Sequence, residues 1–259
     1  MSQLLIDIGS SAFKWSILQQ GKLGAVESVL HAEIQLTDYL DVAWRELPVP
    51  QSIVVSLVGQ DSLFATLATW CDQHWQQSVE CITSQATLLG VSNAYTEPSQ
   101  LGSDRWLGLL LAHHQYPGNS CIVNCGTALT IDVINADGAH LGGMILPGRY
   151  MMQTCLYDRS AGIARALQHD IDAETTHNLL ATDTHSALAI GSLYAAVSLI
   201  DRFCVDIEAE LQTPVQCLIT GGDARDTQEL LQCQTIYVDN MVLQGLALLC
   251  EQYEAGQDL

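Results

Sequence analysis

The stretch that decides the fold is Leu4-Leu5-Ile6-Asp7-Ile8-Gly9-Ser10-Ser11, which continues into an alternating apolar run over residues 13–17. A second stretch, Cys121-Ile122-Val123-Asn124-Cys125-Gly126-Thr127-Ala128, repeats this order and continues over residues 129–133. Each stretch predicts a β-hairpin whose turn contains a glycine and a hydroxyl residue. Gly9 and Gly126 lie 117 residues apart, close to half of the 259-residue chain. The repetition therefore predicts a duplicated domain.

The segments around the two hairpins predict further strands and helices. Apolar patterning favours strands over 51–58, 79–83 and 215–220, and helices over 61–76, 104–115, 184–211 and 241–253. The glycine-flanked segment 142–148 indicates a turn, and Pro117-Gly118 marks a domain boundary. We expect two α/β domains, 1–116 and 117–259, with a cleft between them.

Composition narrows the class of protein. Lysine and arginine total 9 against 29 aspartates and glutamates, giving a formal net charge of −20, and 48% of the residues are hydrophobic. Affinity for a phosphate backbone comes mainly from basic side chains. We therefore expect the protein to bind neither nucleic acid nor an anionic membrane surface. The longest apolar runs, 107–112 and 243–250, are shorter than the roughly 20 residues that span a bilayer. Residues 1–7 lack a basic segment, so we predict a cytoplasmic protein without a signal peptide or membrane helix.

The nine cysteines form no C-x-x-C pair, and most lie inside apolar runs. A disulfide scaffold or a zinc site usually shows clustered spacings. The eight histidines show no metal-ligand spacing either. The sequence therefore predicts reduced cysteines in the core and no metal site built from cysteine or histidine.

The hairpin turns are candidate phosphate-binding loops. Such loops need glycine, so that backbone N–H groups approach the phosphates, together with hydroxyls and a group that orients Mg²⁺. Asp7-Ile8-Gly9-Ser10-Ser11 supplies these groups, and Lys14 follows as one of two lysines in the chain. Asn124-Cys125-Gly126-Thr127 is the opposing candidate. A single turn of this kind is usually only a hairpin turn, but two at half-chain spacing, with Gly221-Gly222-Asp223 after a later strand, favour phosphate binding.

The candidate for chemistry is Leu101-Gly102-Ser103-Asp104-Arg105-Trp106. A hydroxyl that attacks a phosphoryl group needs a carboxylate to accept its proton, and Asp104 is placed for that role with Arg105 beside it as an anion clamp. The alternative is that Asp104 caps the N-terminus of the following helix. The two roles are compatible.

Five motifs, taken together, resemble those of a known enzyme family. They are Leu5-Ile6-Asp7-Ile8-Gly9-Ser10-Ser11 with Lys14-Trp15; Tyr95-x-x-Pro98-x-x-Leu101-Gly102-x-Asp104-Arg105-Trp106; Gly126-Thr127-Ala128-x-Thr130-x-Asp132; Gly142-Gly143-x-Ile145-x-Pro147-Gly148; and Thr220-Gly221-Gly222-Asp223. In this order and spacing, across nearly the whole chain, they resemble the type III pantothenate kinases, bacterial enzymes that phosphorylate pantothenate in the first step of coenzyme A synthesis. The Gly-x-Asp-Arg-Trp block is the most discriminating of the five.

The resemblance implies a fold, ligands and site residues. The fold is two ribonuclease-H-like domains of the actin-like ATPase superfamily, in a cytoplasmic homodimer. It implies that ATP phosphates bind Asp7, Ile8, Gly9, Ser10, Ser11, Lys14, Gly126 and Thr127, and that the base lies near Gly221 and Gly222. Pantothenate would contact Tyr95, Gly102, Ser103, Asp104, Arg105 and, across the dimer, Thr184, with Asp104 accepting the proton. If the resemblance is set aside, Tyr95 is interpreted as an aromatic residue on a surface loop and Thr184 as the N-cap of the long helix.

Two positions depart from the family pattern. Ser10-Ser11 stands where Asn-Thr is common, which keeps one hydroxyl and removes an amide. Asn124 stands where Asp is usual, and in the family that carboxylate supports a monovalent cation, K⁺ or NH₄⁺. An amide contributes no charge to such a site, so we expect a weakened or dispensable cation. Mg²⁺ would rest on Asp7, Asp132 or ATP itself, and the sequence does not choose among them.

Two other functions compete with the kinase. One is a non-catalytic metabolite-binding accessory protein of the same family, and the other is a phosphohydrolase in which water replaces pantothenate. Retention of Lys14, Asp104 and Arg105 favours the kinase over the first, and the block from Tyr95 to Arg105 favours it over the second. Gly191, inside the predicted helix 184–211, suggests a close helix contact there, such as a dimer interface.

Overall fold

The computed structural model describes residues 2–160, 162–163 and 179–254. These residues form two compact units. The first unit holds the chain up to Pro117, residues 136–141 and the chain from Asn240 onward, and the second holds residues 118–135 and 142–239. Along the chain, the first unit ends at Pro117 and takes in two later segments, 136–141 and the residues from Asn240 onward.

The first unit contains the larger of the two main sheets, which has six strands. Its strands are β1 (Ser2–Ile8), β2 (Ala12–Gln19), β3 (Lys22–Leu23), β4 (Glu27–Leu30), β5 (Ser52–Leu57) and β6 (Val79–Ile82), with a separate pair, β7 (Thr87–Leu88) and β8 (Val91–Ser92). The order is β3-β2-β1-β5-β6, with β4 also on β2. β1 and β2 form the predicted antiparallel hairpin, while β5 and β6 are parallel to β1.

The second sheet repeats this topology. Its strands are β9 (Asn119–Cys125), β10 (Ala128–Ile134), β11 (His140–Pro147), β12 (Val215–Thr220) and β13 (Thr235–Tyr237), in the order β11-β10-β9-β12-β13. β9 and β10 form the second predicted hairpin, and β12 and β13 are parallel to β9. In both sheets the first strand of a hairpin pairs with a parallel strand, so the predicted duplication is confirmed.

Seven helices are described in these residues. They are α1 (Leu36–Ala43), α2 (Asp61–Trp75), α3 (Ser103–Gln115), α4 (Arg149–Arg159), α5 (Thr184–Leu211), α6 (Ala224–Gln228) and α7 (Met241–Glu254). Four of these match predicted helices, and α5 has the predicted bounds. The helices α1, α4 and α6 were not predicted.

The hairpin strand β1 has two different faces. Leu4, Ile6 and Ile8 lie in an apolar core with side chains of α1 and α2, including Trp44 and Trp70. Alternation along a strand places Asp7 on the opposite face. That face also carries Ser56 of β5, which lies beside Asp7 in the parallel register. The strand pattern thus directs one carboxylate away from the aromatic core.

The C-terminal helix α7 belongs to the first unit, although the predicted domains placed it in the second. It packs on α3 and β1. A Cβ added at Gly245 would lie 2.7 Å from the Leu107 carbonyl oxygen, so the two helices approach closely through a glycine. An apolar helix pattern shows that a face is buried but not which sheet it covers, and the sequence could not decide this assignment.

Two other local predictions differ from the structure. The predicted turn at 142–148 is wrong, because these residues continue strand β11 up to Pro147. Gly142 adopts φ +117°, which lets a glycine-rich segment follow the edge of the sheet. A Cβ added at Gly191 of α5 would meet no described atom within 4 Å, so close packing against the described residues does not account for that glycine.

Helix α5 has an unusual composition. Among the described residues it is the one helix that is long and apolar enough, by length and composition alone, to cross a membrane, and a third of its most apolar window is buried within the chain. Its apolar residues are interrupted by polar ones, so no uninterrupted apolar run in the sequence indicated a segment of this length and hydropathy. One face, including Ala196, Ile200 and Cys204, packs on the second sheet.

Candidate functional site

The carboxylate of Asp7 is the most perturbed group in the first hairpin. Its side chain is buried, and its Oδ1 atom has no hydrogen-bond partner. Burial raises the pKa of Asp7 to about 7; Lys14, opposite it in the register, lowers the pKa, and Asp104 raises it. The structure therefore brings together the predicted phosphate-binding residues Asp7 and Lys14 and the predicted proton acceptor Asp104. An unsatisfied buried carboxylate oxygen fits a hard cation such as Mg²⁺.

The loop after β1 is held from outside by two residues that the sequence analysis missed. His31 Nε2–H donates to the Gly9 carbonyl over 2.8 Å, and the His31 backbone N–H donates to the Ser11 carbonyl over 3.0 Å. Gln60 Nε2 donates to the Ser10 carbonyl over 3.2 Å. Three consecutive carbonyls are thus turned toward protein donors, an orientation suited to a loop whose other edge receives an anion.

Ile8 supports this loop and does not enter it. Its side chain is fully buried in the aromatic core, and its carbonyl accepts a hydrogen bond of 3.0 Å from the Val58 N–H. Ser10 and Ser11 are exposed beside it. Any ligand contact by Ile8 would therefore be made by its backbone.

Asp104 lies in the first turn of α3. The N-cap residue is Gly102 with φ −57° and ψ 141°, so the alternative in which Asp104 is the N-cap is wrong. A Cβ added at Gly102 would lie 2.6 Å from Asp104 Oδ1, so glycine at 102 leaves room for the carboxylate. A negatively charged side chain in the first turn interacts favourably with the helix dipole.

Ser103 fixes the start of α3 to the end of β5. Its hydroxyl donates to the Leu57 carbonyl over 3.1 Å, accepts from the Leu57 N–H over 3.2 Å and bonds the Ser56 hydroxyl over 2.9 Å. These bonds use the donor and both acceptor positions of the hydroxyl. The Ser103 side chain therefore positions Asp104 and leaves its own backbone for any ligand contact.

Arg105, which is buried, pairs with the half-buried Tyr95. Arg105 Nη1 donates to the Tyr95 hydroxyl over 2.9 Å, and its guanidinium carbon lies 5.6 Å from the Tyr95 ring centroid. The Tyr95 ring stacks on His140 with centroids 6.1 Å apart, and the Ala94 N–H donates to His140 Nδ1. His140 was not predicted as a site residue, because it belongs to no recognisable motif in the sequence.

In the second unit, the predicted loop residues meet where β9 and β12 end. Thr220 pairs with Asn124 in the parallel register, and the Asp223 N–H donates to the Cys125 carbonyl over 3.0 Å. Gly221 has φ +104°, and a Cβ there would overlap the Cys125 carbonyl and lie 2.7 Å from Asn124 Oδ1. The structure thus brings together Asn124, Gly126, Thr127, Gly221 and Gly222, which belong to separate motifs in the sequence.

Gly148 and Arg149 complete this strand-end site. The Gly148 N–H donates to the Thr127 carbonyl over 2.9 Å, and a Cβ at Gly148 would overlap the Gly126 carbonyl. Arg149 Nη1 lies 3.7 Å from Asp223 and 3.3 Å from Asp226, and its buried Nε has no partner. Burial raises the pKa of Asp223, and Arg149 lowers it. Arg149 was missed because it stands outside the glycine motifs.

Asp132 lies elsewhere on the second sheet. It is buried on β10, where it pairs with Ile122 of β9. Thr130, two residues nearer the turn, pairs with Asn124. It shares the sheet face of Asn124, two residues away from the strand end. Of the two candidate carboxylates for Mg²⁺, Asp7 is the one with an unpartnered oxygen.

Thr184 is the first residue of α5. The N-cap is Asp183, whose Oδ1 accepts from the Ser186 N–H over 2.7 Å, so the N-cap alternative for Thr184 is wrong. Thr184 lines a cavity of about 440 Å³ with Ile163, Ala187 and residues 181–183 and 188. The residue therefore stands at a concave surface at the start of the long helix.

Two adjacent glycines offer a matched test of the strand-end geometry. Gly221→Ala should lower the free energy of unfolding by about 2–3 kcal/mol, because its left-handed φ and the Cys125 carbonyl both oppose a Cβ. Gly222→Ala should leave stability nearly unchanged, since a Cβ there meets nothing within 4 Å. Thermal melts should show a fall of about 5 °C or more for the first variant alone. Equal melting temperatures would contradict this geometry.

Comparison with known proteins shows which family these residues represent. The family model described as type III pantothenate kinase matches residues 3–206. A type III pantothenate kinase of Nitrosococcus oceani is 39% identical over 249 residues, covering 94% of this chain and 92% of that protein. One from Burkholderia thailandensis is 35% identical over 259 residues, covering 95% and 96%.

Solved structures confirm the fold. A Campylobacter jejuni protein assigned to the Baf family of transcriptional activators aligns with a TM-score of 0.61 at 19% identity, covering 97% of this chain and 99% of that one. The activator of 2-hydroxyisocaproyl-CoA dehydratase from Clostridium difficile, with bound ADPNP, aligns with a TM-score of 0.50 at 12% identity, covering 100% and 98%. At these identities the likeness shows the fold alone, and with the two repeated sheets it agrees with the expected pair of ribonuclease-H-like domains.

Proposed function

The chain belongs to the type III pantothenate kinase family and phosphorylates pantothenate with ATP in coenzyme A synthesis, and we propose that Asp104 is the group that activates the pantothenate hydroxyl. One observation carries this assignment. Lys14 and Asp104 each lie close enough to Asp7 for their charges to shift its pKa, so the proposed base and the proposed phosphate ligands are grouped around Asp7 in the first unit.

The reaction is a transfer with one proton to remove. The oxygen of the primary hydroxyl forms a bond to the γ-phosphorus, the bond from that phosphorus to the β-phosphate oxygen breaks, and ADP leaves. The hydroxyl proton passes to the Asp104 carboxylate. Such a transfer is driven mainly by positioning and by charge stabilisation, so the groups around Asp104 matter as much as the base.

The phosphates are assigned to the two strand-end sites. In the first unit, Lys14 supplies a cation, and the Gly9 to Ser11 loop supplies a backbone edge whose carbonyls are turned away toward His31 and Gln60. In the second unit, we assign Gly126 and Thr127 to phosphate and Gly221 and Gly222 to the nucleoside. Asp7 Oδ1 would hold Mg²⁺, which when bound neutralises phosphate charge.

The acceptor is assigned to the pair of Arg105 and Tyr95. Pantothenate carries a carboxylate, and a buried guanidinium oriented by a tyrosine hydroxyl is a suitable partner for it. The backbone from Gly102 to Ser103 completes the binding surface. On a protein with a net charge of −20, the positive potential for two anionic substrates must come from a few groups such as Arg105 and Lys14.

Removing the Tyr95 hydroxyl should weaken acceptor binding. Tyr95→Phe removes the 2.9 Å hydrogen bond from Arg105, and we expect the KM for pantothenate to rise about tenfold with kcat within about twofold. Steady-state kinetics at saturating ATP measure both constants. Tyr253→Phe, on the exposed end of α7, is the matched control. An unchanged KM, or a fall in kcat as large as that in kcat/KM, would remove Arg105 and Tyr95 from acceptor binding.

A coupled ADP-release assay tests the assigned function directly. With Mg-ATP, release should depend on pantothenate. Release without pantothenate would indicate a hydrolase, and ligand binding without release would indicate a non-catalytic accessory protein.

The same assay tests the cation. Because Asn124 brings no charge to its site, rates in K⁺ and in Na⁺ should agree within about threefold, and stronger stimulation by K⁺ or NH₄⁺ would contradict the weakened cation site.

A homodimer is supported by the surface of α5. Two thirds of the most apolar window of this helix is unburied within one chain, and Gly191 lies exposed on it without a close neighbour among the described atoms. A second copy covering this surface in a cytoplasmic dimer would account for both features and would bring a partner surface to the Thr184 cavity. Sedimentation analysis measures the assembly, and a monomer at micromolar concentration would refute it.

A further inference from the structure

Four cysteines from distant parts of the chain meet in the core of the second unit. Cys121 on β9 and Cys217 on β12 are direct partners in the parallel register. Cys204 of α5 packs over the same face of the sheet. The Sγ atoms of these three residues all lie within 4.8 Å of one another, and all three side chains are buried.

Cys233 supplies a fourth thiol. It lies just before β13 and packs against the same core as the other three cysteines. Cys233 is half-buried, so the cluster has one side closer to solvent. The four residues are separated by 83, 13 and 16 positions in the sequence, which is why spacing alone predicted ordinary core cysteines.

The fourth thiol is held in place by a carboxylate. Asp201, one turn before Cys204 on α5, accepts from the Cys233 N–H over 3.0 Å and from the Gln232 N–H over 2.9 Å. A single side chain therefore fixes the loop that carries Cys233 against the helix that carries Cys204. Supporting hydrogen bonds of this kind orient ligands in protein metal sites.

From this arrangement we propose that Cys121, Cys204, Cys217 and Cys233 form a binding site for one soft d¹⁰ metal ion, either Zn²⁺ or Cu⁺. Four sulfur ligands favour such ions over Mg²⁺ or Ca²⁺, which prefer oxygen. With Zn–S bonds of about 2.3 Å, a tetrahedral site has sulfur–sulfur edges of about 3.8 Å, so adjustments of about 1 Å would bring the sulfurs of Cys121, Cys204 and Cys217 onto the ion. Cys233 would complete the site from the side closer to solvent. Each thiol that becomes a ligand releases its proton to solvent.

Two observations distinguish this site from cysteines that merely fill space. Cysteine is a common small core residue, and the core cysteine Cys125 also lies on β9. Yet within residues 2–160, 162–163 and 179–254, Cys121, Cys204 and Cys217 form the one group of three or more histidine, cysteine or acidic residues with converging ligand atoms. Its surroundings, including Ile200 and Leu231, are apolar, which excludes water that would compete for the ion.

The test measures metal and does not depend on kinase activity. The full-length protein, kept reduced and free of oxygen, is incubated separately with Zn²⁺, Cu⁺ or Cd²⁺, desalted through a weak chelator and analysed for metal. We expect about one ion per chain with Cd²⁺ and with one or both native candidates, and the stronger retention against the chelator identifies the ion. Cd²⁺ should also give the ultraviolet charge-transfer absorption of a thiolate complex.

Variants show whether the ion lies at the cluster. Cys233→Ser should lower metal affinity at least tenfold, because one of four ligands is lost, and Cys217→Ser should abolish retention. Cys155→Ser, an exposed cysteine in the same unit, is the control and should bind as the unaltered protein does. Should the buried variant fail to fold, Cys233→Ser and the Cd²⁺ spectrum of the unaltered protein still decide the matter. Less than about 0.1 ion per chain with all three metals, or full retention by Cys233→Ser, would overturn the proposal.

Discussion

Replacing Asp104 by Asn is expected to lower kcat by about 10²–10⁴, the contribution usual for a positioned general base. The amide cannot accept the hydroxyl proton, yet it has nearly the same size and keeps the space over Gly102. The fold should survive, because Ser103 and its bonds to Leu57 fix the start of α3 independently of the carboxylate. The measurement is pantothenate-dependent ADP release at saturating concentrations of both substrates.

The control for this variant is Asp38→Asn. Asp38 is also an acidic residue in the first turn of a helix in the same unit, but it is exposed on α1. Both variants lose a favourable interaction with a helix dipole of about 0.3–1 kcal/mol, so an effect on activity confined to Asp104→Asn separates chemistry from stability. A kcat within about threefold of the unaltered enzyme would rule out Asp104 as the proton acceptor.

Replacing Asp7 by Asn should change activity and stability in opposite directions. We expect at least a 100-fold loss of kcat/KM, because the assigned ligand for Mg²⁺ loses its charge. At pH 8 the same variant should unfold at a higher temperature than the unaltered protein, because it no longer ionises a buried carboxyl with an unpartnered oxygen. Sites built for function commonly carry such a stability cost.

The pH dependence of this stabilisation has a definite sign. Burial raises the pKa of Asp7 in the folded protein to about 7, above the ordinary value of 3.8. The folded state therefore holds this proton more tightly than the unfolded state, and the carboxyl makes the protein less stable as pH rises from 3.8 to 7. At about 1.4 kcal/mol per pH unit, the advantage of Asp7→Asn should be about 2 kcal/mol larger at pH 8 than at pH 5.5.

Denaturant unfolding of both proteins at these two pH values measures the difference, and both values lie above the sequence pI of about 4.4, where solubility is lowest. Asp38→Asn again serves as the control, since an exposed carboxyl should give the same small effect at both pH values. An Asp7→Asn variant that is less stable at pH 8 than at pH 5.5, relative to the unaltered protein, would show that the Asp7 carboxylate is ionised without cost.

The sequence by itself determined the repeated architecture. Each hairpin is encoded locally, by alternation along two strands and by a glycine turn between them, so the prediction needed no knowledge of distant contacts. The same holds for the bounds of α5, and for the motif order that identified the family. Gly142 to Gly148 was mistaken for a turn because a glycine-rich strand lacks the alternation by which strands are recognised.

The tertiary structure alone decided which of these local elements meet. Helix α7 packs on the first sheet. His31 and Gln60 hold a loop from which both are distant in sequence, and four widely spaced cysteines lie in one core. It also decided the ionisation of Asp7, because a pKa depends on burial and on the charges brought nearby, here Lys14 and Asp104. Local patterns fix secondary structure through backbone periodicity, whereas site chemistry depends on long-range packing that sequence spacing does not record.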